Sequence, residues 1–217
     1  LVRRRLVVLC GLVWLPLFVL CAIEGTLAGG VDIPFLADIE THARFLIAAP
    51  LLIAAELLVH LRMRNIVAQF VERKLVPAAA LDRFRAAIRS AVTWRNSIPA
   101  ELALLALVFS LGYYLRSDTF ALAAPTWYAS GASGAGGGDI SLAGHWLRWV
   151  SNPILQFLLL RWIYRLVIWA RFLWQVSRIE LDLIPTHPDR NGGLGFLGAS
   201  ARLYSPLLAA LSTMVAG

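Results

Sequence analysis

Long apolar runs separated by shorter polar stretches make up most of the chain. Four runs approach or reach the roughly 20 residues that cross a bilayer, and a fifth extends to the last residue. The runs are residues 6–23, 45–61, 98–115, 153–174 and 194–217. Backbone groups in lipid must be hydrogen-bonded within the segment itself, so each run is predicted to be a helix. The pattern predicts an all-α fold: one polytopic transmembrane helix bundle with about five spans.

Composition favours the same class. The chain has 217 residues, of which 59% are hydrophobic and 15% are charged, whereas soluble domains usually carry about 25% charged residues. Eight Trp and five Tyr suit the aromatic belts found where a bilayer meets water. We therefore predict an integral membrane protein.

The positions of Lys and Arg predict the orientation of the spans. These residues concentrate in the N-terminal segment, in residues 62–97 and in residues 171–190, whereas the intervening loops carry only Arg44, Arg116 and Arg148. Cationic loops tend to stay cytoplasmic, so the N-terminus is predicted to be cytoplasmic in a multi-pass protein of a bacterial inner (plasma) membrane. The net charge of +7 is then a topology signal, and no nucleic acid is expected as a partner.

Both termini suggest a truncated protein, because the sequence starts at Leu1 without Met and stops at Gly217 inside an apolar run. The basic start followed by residues 6–23 resembles a signal peptide. The apolar run is longer than a usual signal core and no clear cleavage site follows it. We interpret it as a retained first span.

The predicted inner segment 62–97 shows helical periodicity. Leu81, Phe84, Ile88 and Val92 recur at helical spacing. Arg83, Arg85 and Arg89 point in other directions, as in an amphipathic helix at the inner membrane surface whose arginines meet anionic lipid headgroups. A cytosolic helical hairpin around Pro77 is the alternative. The Gly/Ser-rich residues 129–139 are predicted to be a flexible connector.

Ionisable residues inside predicted spans are candidates for function, because charge at bilayer depth costs free energy. Glu56 and His60 are four residues apart and would share a helical face. The pair is suited to passing a proton or binding a metal. We favour structural pairing, or a His60 that reaches the lipid headgroups, because a metal site needs three or four ligands. No metal or other cofactor is expected.

Arg161 and Arg165 share a face of the predicted fourth span. They would line an anion path, reach the interface, or pair with the carboxylates of Glu56 and Glu101. Pairing is the preferred interpretation, because buried ion pairs can specify how helices pack. On the outer side, Asp38, Glu40 and His42 would chelate a cation if the backbone were extended. A solvated helix start is favoured there.

The segment "PTHPDRNGGLGFLG", residues 185–198, is here named the junction loop. Its His-Pro-Asp triplet resembles the loop of J-domain co-chaperones, but apolar segments flank it. Its G-x-G-x-x-G run matches a dinucleotide fingerprint in letters, but no clear strand precedes it. The loop is predicted to break a helix and to lead into the last span. The polar candidates for function in this loop, on its predicted cytoplasmic side, are His187, Asp189 and Arg190. A helix N-terminus there would bind an anion.

The run "HPDRNGGLGFLG" also resembles a loop of uncharacterised multi-span bacterial inner-membrane proteins, which implies a location and no activity. The leading functional hypothesis is a transporter or channel subunit with a polar or anion path. The alternatives are a scaffold that binds partners through its basic inner loop, and a membrane enzyme with a site at the junction loop. We favour a non-enzymatic role and assign no catalytic residue. Self-association into a homo-oligomer is left open.

Overall fold

The computed structural model describes residues 2–114, 126–129, 140–184 and 186–216. Most of the predicted Gly/Ser-rich connector and Pro185 lie outside these ranges. All regular elements within them are helical, apart from isolated bridges in residues 33–140. The predicted all-α class is confirmed. The helices are α1 (Val2–Glu24), α2 (Ile39–His42), α3 (Ala49–Glu72), α4 (Leu81–Arg95), α5 (Ile98–Tyr114), α6 (Leu142–Trp146), α7 (Asn152–Ser177), α8 (Leu197–Leu203) and α9 (Ser205–Ala216).

Two short π-helical segments join successive helices without a break. Ala43–Ala48 connects α2 to α3, and Leu147–Ser151 connects α6 to α7. Turns of 3-10 helix at Phe35–Ala37 and Ala78–Ala80 precede α2 and α4. The predicted inner segment 62–97 therefore consists of the end of α3, a turn, and α4.

A single helical segment in the described part of the chain is long and apolar enough to cross a membrane. It runs from Leu142 to Ser177 and has 36 residues, with a mean hydropathy of 1.3 in its apolar stretch. The predicted total of about five spans is not supported. The apolar stretches Val8–Glu24 of α1, Ile98–Gly112 of α5 and Ser205–Ala216 of α9 each have fewer than 18 residues. Helix α3, which holds most of predicted span 45–61, continues to Glu72 through a polar stretch.

The residues group into two compact units. The first comprises Leu1–Ile53, Leu104–Leu159 and Ala209–Gly217. Its core contains Phe35 and Trp127, both fully buried, whose rings meet edge to face with centroids 5.0 Å apart. At the end of α1 the Glu24 carboxylate accepts the backbone N–H of Leu142 at 2.6 Å, which satisfies an otherwise unpaired donor at the start of α6.

The second unit comprises Ala54–Ala103 and Leu160–Leu208. Phe70 on α3 is the centre of its aromatic core. The Phe70 ring centroid lies 5.5 Å from Phe84, 6.5 Å from Phe172 and 5.0 Å from Phe196. These contacts hold α3, α4 and α7 together just before the short helix α8.

Candidate functional site

Four charged side chains of the second unit form an ion-pair network, defined as Glu56, Glu101, Arg161 and Arg165. Oε1 of Glu56 lies 2.5 Å from Nη2 of Arg165 and 3.2 Å from Nη2 of Arg161. Nη2 of Arg161 is also 3.9 Å from Oε1 of Glu101. The network thus links α3, α5 and α7, and its two positive charges face two negative ones.

Each member of this network was a candidate from the sequence, and the structure brings the four together. The arginines four residues apart on α7 share one carboxylate oxygen of Glu56, so that oxygen is fully engaged. The side chain of His60 lies outside the described residues, so its pairing with Glu56 stays a prediction. The contacts agree with structural pairing of the arginines.

A cavity of about 570 Å³ opens beside the network, within the same unit. Helices α3, α4 and α7 supply its walls, and one residue after α8 completes them. Its volume is in the range of small-molecule sites, about 300–1,000 Å³. The residues that line it are Val59, Met63, Arg64, Val67, Ala68, Val71, Phe84, Ile88, Ala91, Val92, Arg95, Arg165, Ile168, Trp169, Phe172 and Tyr204.

All charged residues that line this cavity, here named the arginine cavity, are basic. Arg64, Arg95 and Arg165 line it, and no acidic residue is among the described residues of its wall. The other lining residues are apolar, apart from the hydroxyl of Tyr204 and the indole N–H of Trp169. Apolar walls with a few convergent polar groups are typical of ligand sites, and guanidinium groups bind carboxylate, sulfonate or phosphate groups through paired hydrogen bonds.

Arg64 and Arg95 are not among the site residues predicted from the sequence, although the sequence carries a signal for Arg95. On α4, Phe84, Ile88, Ala91 and Arg95 follow at spacings of three or four residues, which places them on one helical face. Arg95 therefore lies on the face of α4 that lines the cavity, although its side chain is exposed. Both arginines lie in the basic segment 62–97, whose positive charge is interpreted as a signal for membrane orientation.

Asp189 organises the junction loop. Its Oδ1 accepts the backbone N–H groups of Asn191 at 2.9 Å and Gly193 at 3.1 Å, and its Oδ2 accepts that of Gly195 at 2.7 Å. Desolvation raises the pKa of this carboxyl, but these donors and the His187 ring outweigh it and hold the pKa well below its usual range. The negative group that the backbone N–H donors of this loop bind is therefore the Asp189 carboxylate of the same loop.

The glycines of the G-x-G-x-x-G run have structural roles that differ. A Cβ atom on Gly195 would lie 2.9 Å from Cβ and Oδ2 of Asp189, whereas a Cβ on Gly198 would meet nothing within 4 Å. Gly193 has φ of +95°, a conformation that L side chains rarely adopt. The run therefore shapes the loop around Asp189, and residues 180–184 before it form no strand.

His187 and Arg190 have separate surroundings. Nδ1 of His187 lies 2.9 Å from Oδ1 of Asp189 and 3.2 Å from the backbone nitrogen of Asp189. A given tautomer satisfies only one of these contacts, because Nδ1 either donates or accepts. Arg190 is exposed and has φ of +56°. The structure thus joins His187 to Asp189 and leaves Arg190 at the surface.

The outer cluster of the first unit begins a helix. Asp38 caps α2 by accepting the Thr41 N–H at 3.0 Å, and it also accepts the indole N–H of Trp127 at 2.8 Å. Glu40 pairs with Arg44. Because this backbone is helical, the alternate residues Asp38, Glu40 and His42 do not share a side. Over the ranges that the structure covers, no group of three or more His, Cys, Asp or Glu residues is placed to hold a metal ion.

Comparison with known proteins gives no match. No family model, no curated protein and no solved structure is similar to this chain. The resemblance of the junction loop to inner-membrane proteins therefore stays a prediction, and function rests on the geometry of the site.

Proposed function

We propose that this chain is a membrane-spanning helical protein that takes up an organic anion in its arginine cavity, as a transporter or channel subunit. The observation that carries the proposal is the cavity of about 570 Å³, whose described wall holds Arg64, Arg95 and Arg165 but no acidic residue. The ion-pair network braces the helices beside it.

The surface of the segment Leu142–Ser177 supports the membrane location. Only 22% of its apolar stretch is buried within the chain, whereas the core helix of a soluble protein is mostly buried. Ile163, Val167 and Trp174 are each more than half exposed. At about 1.5 Å per residue the segment is roughly 54 Å long, well beyond the roughly 30 Å hydrocarbon core. We propose a bacterial inner membrane with the N-terminus cytoplasmic, as the distribution of Lys and Arg along the sequence predicts.

Exposed apolar side chains on α5 support contact of further helices with lipid. Ile98, Leu102 and Phe109 are 70%, 60% and 47% exposed. Water-facing helices rarely present such a continuous apolar surface. A multi-pass arrangement with fewer full-length spans than the sequence predicts is consistent with these exposures.

Uptake into liposomes tests the proposal. The probe is radiolabelled butanesulfonate, which stays ionised and so does not cross the bilayer as a neutral acid. Arg64→Gln combined with Arg95→Gln removes two cavity charges outside the ion-pair network. A charge-assisted hydrogen bond is worth about 1.5–3 kcal/mol, so we expect uptake to fall at least about tenfold.

The matched control is Arg62→Gln combined with Arg89→Gln. Like Arg64 and Arg95, both arginines are exposed and lie on α3 and α4, but they are absent from the cavity wall. This control should take up butanesulfonate at the wild-type rate. Equal uptake by the cavity variant and the wild type would contradict the proposal. So would wild-type uptake no higher than that of empty liposomes.

A scaffold that binds partners or anionic lipid is the second candidate. It is favoured by α4, on which Arg83, Arg85 and Arg89 are exposed while Phe84 is buried. Binding to vesicles with and without phosphatidylglycerol, compared between wild type and the triple Gln variant, tests this role. The third hypothesis, an enzyme at the junction loop, gains no support, because the Asp189 carboxylate is engaged by backbone donors.

A further inference from the structure

The arginine cavity has a polar end and an apolar end. The order of contacts along the helices shows this. Glu56, early in the part of α3 that belongs to this unit, pairs with Arg165, whereas Phe70, late in α3, packs against Phe172. Helices α3 and α7 therefore run in the same direction through the unit.

Helix α4 runs in the opposite direction. Phe84, near its start, lies with its ring 6.1 Å from that of Phe172. Near its end, the backbone oxygen of Trp94 accepts a hydrogen bond from the Tyr164 hydroxyl at 2.7 Å. Arg95 follows Trp94, and Arg165 follows Tyr164. Arg95 and Arg165, two of the three arginines of the wall, consequently lie at the same end of the cavity.

The opposite end is formed by hydrocarbon and aromatic groups. Phe84 and Phe172 are 1% and 3% exposed, and Val71 and Ala68 complete the wall beside them. Along α3 the lining runs from Val59 to Val71, which is about 18 Å at 1.5 Å per residue. That length accommodates an extended alkyl chain but greatly exceeds a small inorganic anion.

The polar end retains the capacity to bind an acid group. The Arg165 side chain is 19% exposed and directs Nη2 to Glu56, and a guanidinium carries five N–H donors in all. Arg64 lies between the two ends on α3 and adds positive charge. These guanidinium groups favour an anionic ligand over a cationic one.

We propose that the ligand of the arginine cavity is an amphiphilic anion with a single apolar chain. Its acid group lies between Arg95 and Arg165, and its chain follows α3 toward Phe84 and Phe172. This inference rests on the proposed anion site and narrows it to a ligand class. A single chain fits, because the cavity of about 570 Å³ is elongated and has one polar end.

The test uses the full chain in phosphatidylcholine nanodiscs. Dansyl-labelled undecanoate serves as the fluorescent probe, and unlabelled compounds displace it; empty nanodiscs correct for partition into lipid. Decanesulfonate should displace the probe at a concentration at least about tenfold lower than butanesulfonate, decanol or decyltrimethylammonium. Each comparison changes one property: chain length, the presence of charge, or its sign.

Substitutions at each end of the cavity locate the ligand. Arg95→Gln should weaken decanesulfonate binding at least about tenfold, and Arg95→Lys should recover part of it, while the exposed Arg89→Gln serves as control. Ala68→Phe fills the apolar end, so it should weaken decanesulfonate but leave butanesulfonate unaffected. Unchanged melting temperatures in the nanodiscs exclude misfolding as the cause.

Several outcomes would overturn the inference. Equal displacement by decanesulfonate and decanol would show that charge is irrelevant, and equal displacement by butanesulfonate would show that the apolar end is unused. Loss of probe binding in nanodiscs containing phosphatidylglycerol would identify a two-chain lipid as the occupant. If butanesulfonate uptake depends on Arg64 and Arg95 while chain length has no effect, the proposed function stands and only the ligand class fails.

Discussion

The ion-pair network and the junction loop are both polar clusters of the second unit, but they are assembled from different ranges of the chain. Glu56 and Arg165 are 109 residues apart, and their contact depends on two helices packing correctly. Asp189 binds donors only two, four and six residues away. The network therefore reports on tertiary packing, whereas the loop reports on local backbone conformation.

This difference changes what a substitution should do. Removing a carboxylate from the network leaves charges of other helices without partners. Removing one from the loop leaves backbone donors without an acceptor but disturbs few distant contacts. We therefore expect the largest loss of stability from a substitution in the network and smaller losses from substitutions in the loop.

Glu56→Ala should destabilise the chain most. It leaves Arg161 without its closest carboxylate and removes the partner of Arg165. Breaking a buried pair in this way costs about 3–5 kcal/mol, and the 33% exposure of the Glu56 side chain reduces this to about 2–3 kcal/mol because solvent screens the charges. Thermal unfolding in a mild detergent should show a drop of roughly 5–10 °C.

Glu101→Gln is the matched control within the network. Its contact with Arg161 is 3.9 Å long, and its side chain is 46% exposed, so we expect a loss of less than about 1 kcal/mol. A loss as large as that of Glu56→Ala would mean that the network is not centred on Glu56.

Gly195→Ala should have the second largest effect. The added Cβ would lie 2.9 Å from Asp189, so the loop must shift, at a cost of about 1–2 kcal/mol. Gly198→Ala enters open space within α8 and should be neutral or stabilising by up to about 1 kcal/mol. The melting temperatures of the two variants measure this contrast. Equal destabilisation would contradict a role for Gly195 in accommodating Asp189.

Asp189→Asn should give the smallest and most pH-dependent effect. The folded pKa of Asp189 is lowered, so the carboxylate stabilises the fold above the unfolded pKa of about 4, and this contribution declines as the pH falls below that value. The melting temperature of wild type should exceed that of Asp189→Asn at pH 6. The difference should shrink below about pH 4. A difference that is constant throughout would contradict the hydrogen-bonding scheme.

The sequence predicted the all-helical class because the apolar runs leave few alternatives for the backbone. It also indicated Arg161, Arg165, Glu56 and Glu101, since charged side chains within apolar helices require partners. It overestimated the number of spans, because the apolar stretches of α1, α5 and α9 in the described residues are each shorter than 18 residues. It also gave no order of the contacts between helices, and this order determines which arginines meet at the cavity.

The backbone conformation of the junction loop was easier to predict than the contacts between helices. The Asn-Gly turn and the glycines of the junction loop predicted a tight turn, and Gly192 and Gly193 do have positive φ. The role of Asp189 was not evident, because the sequence does not distinguish an aspartate that accepts hydrogen bonds from its own loop from one that binds a ligand. Arg95 was missed because its role depends on the face of α4 that it occupies.

Arg165 belongs both to the ion-pair network and to the wall of the arginine cavity. Under the proposed function, a bound anion and the carboxylate of Glu56 would therefore share one guanidinium. Where the two acid groups draw on the same N–H donors, each would weaken the binding of the other by the same factor. Anion binding would then reduce the contribution of the Glu56–Arg165 pair to the packing of α3 against α7.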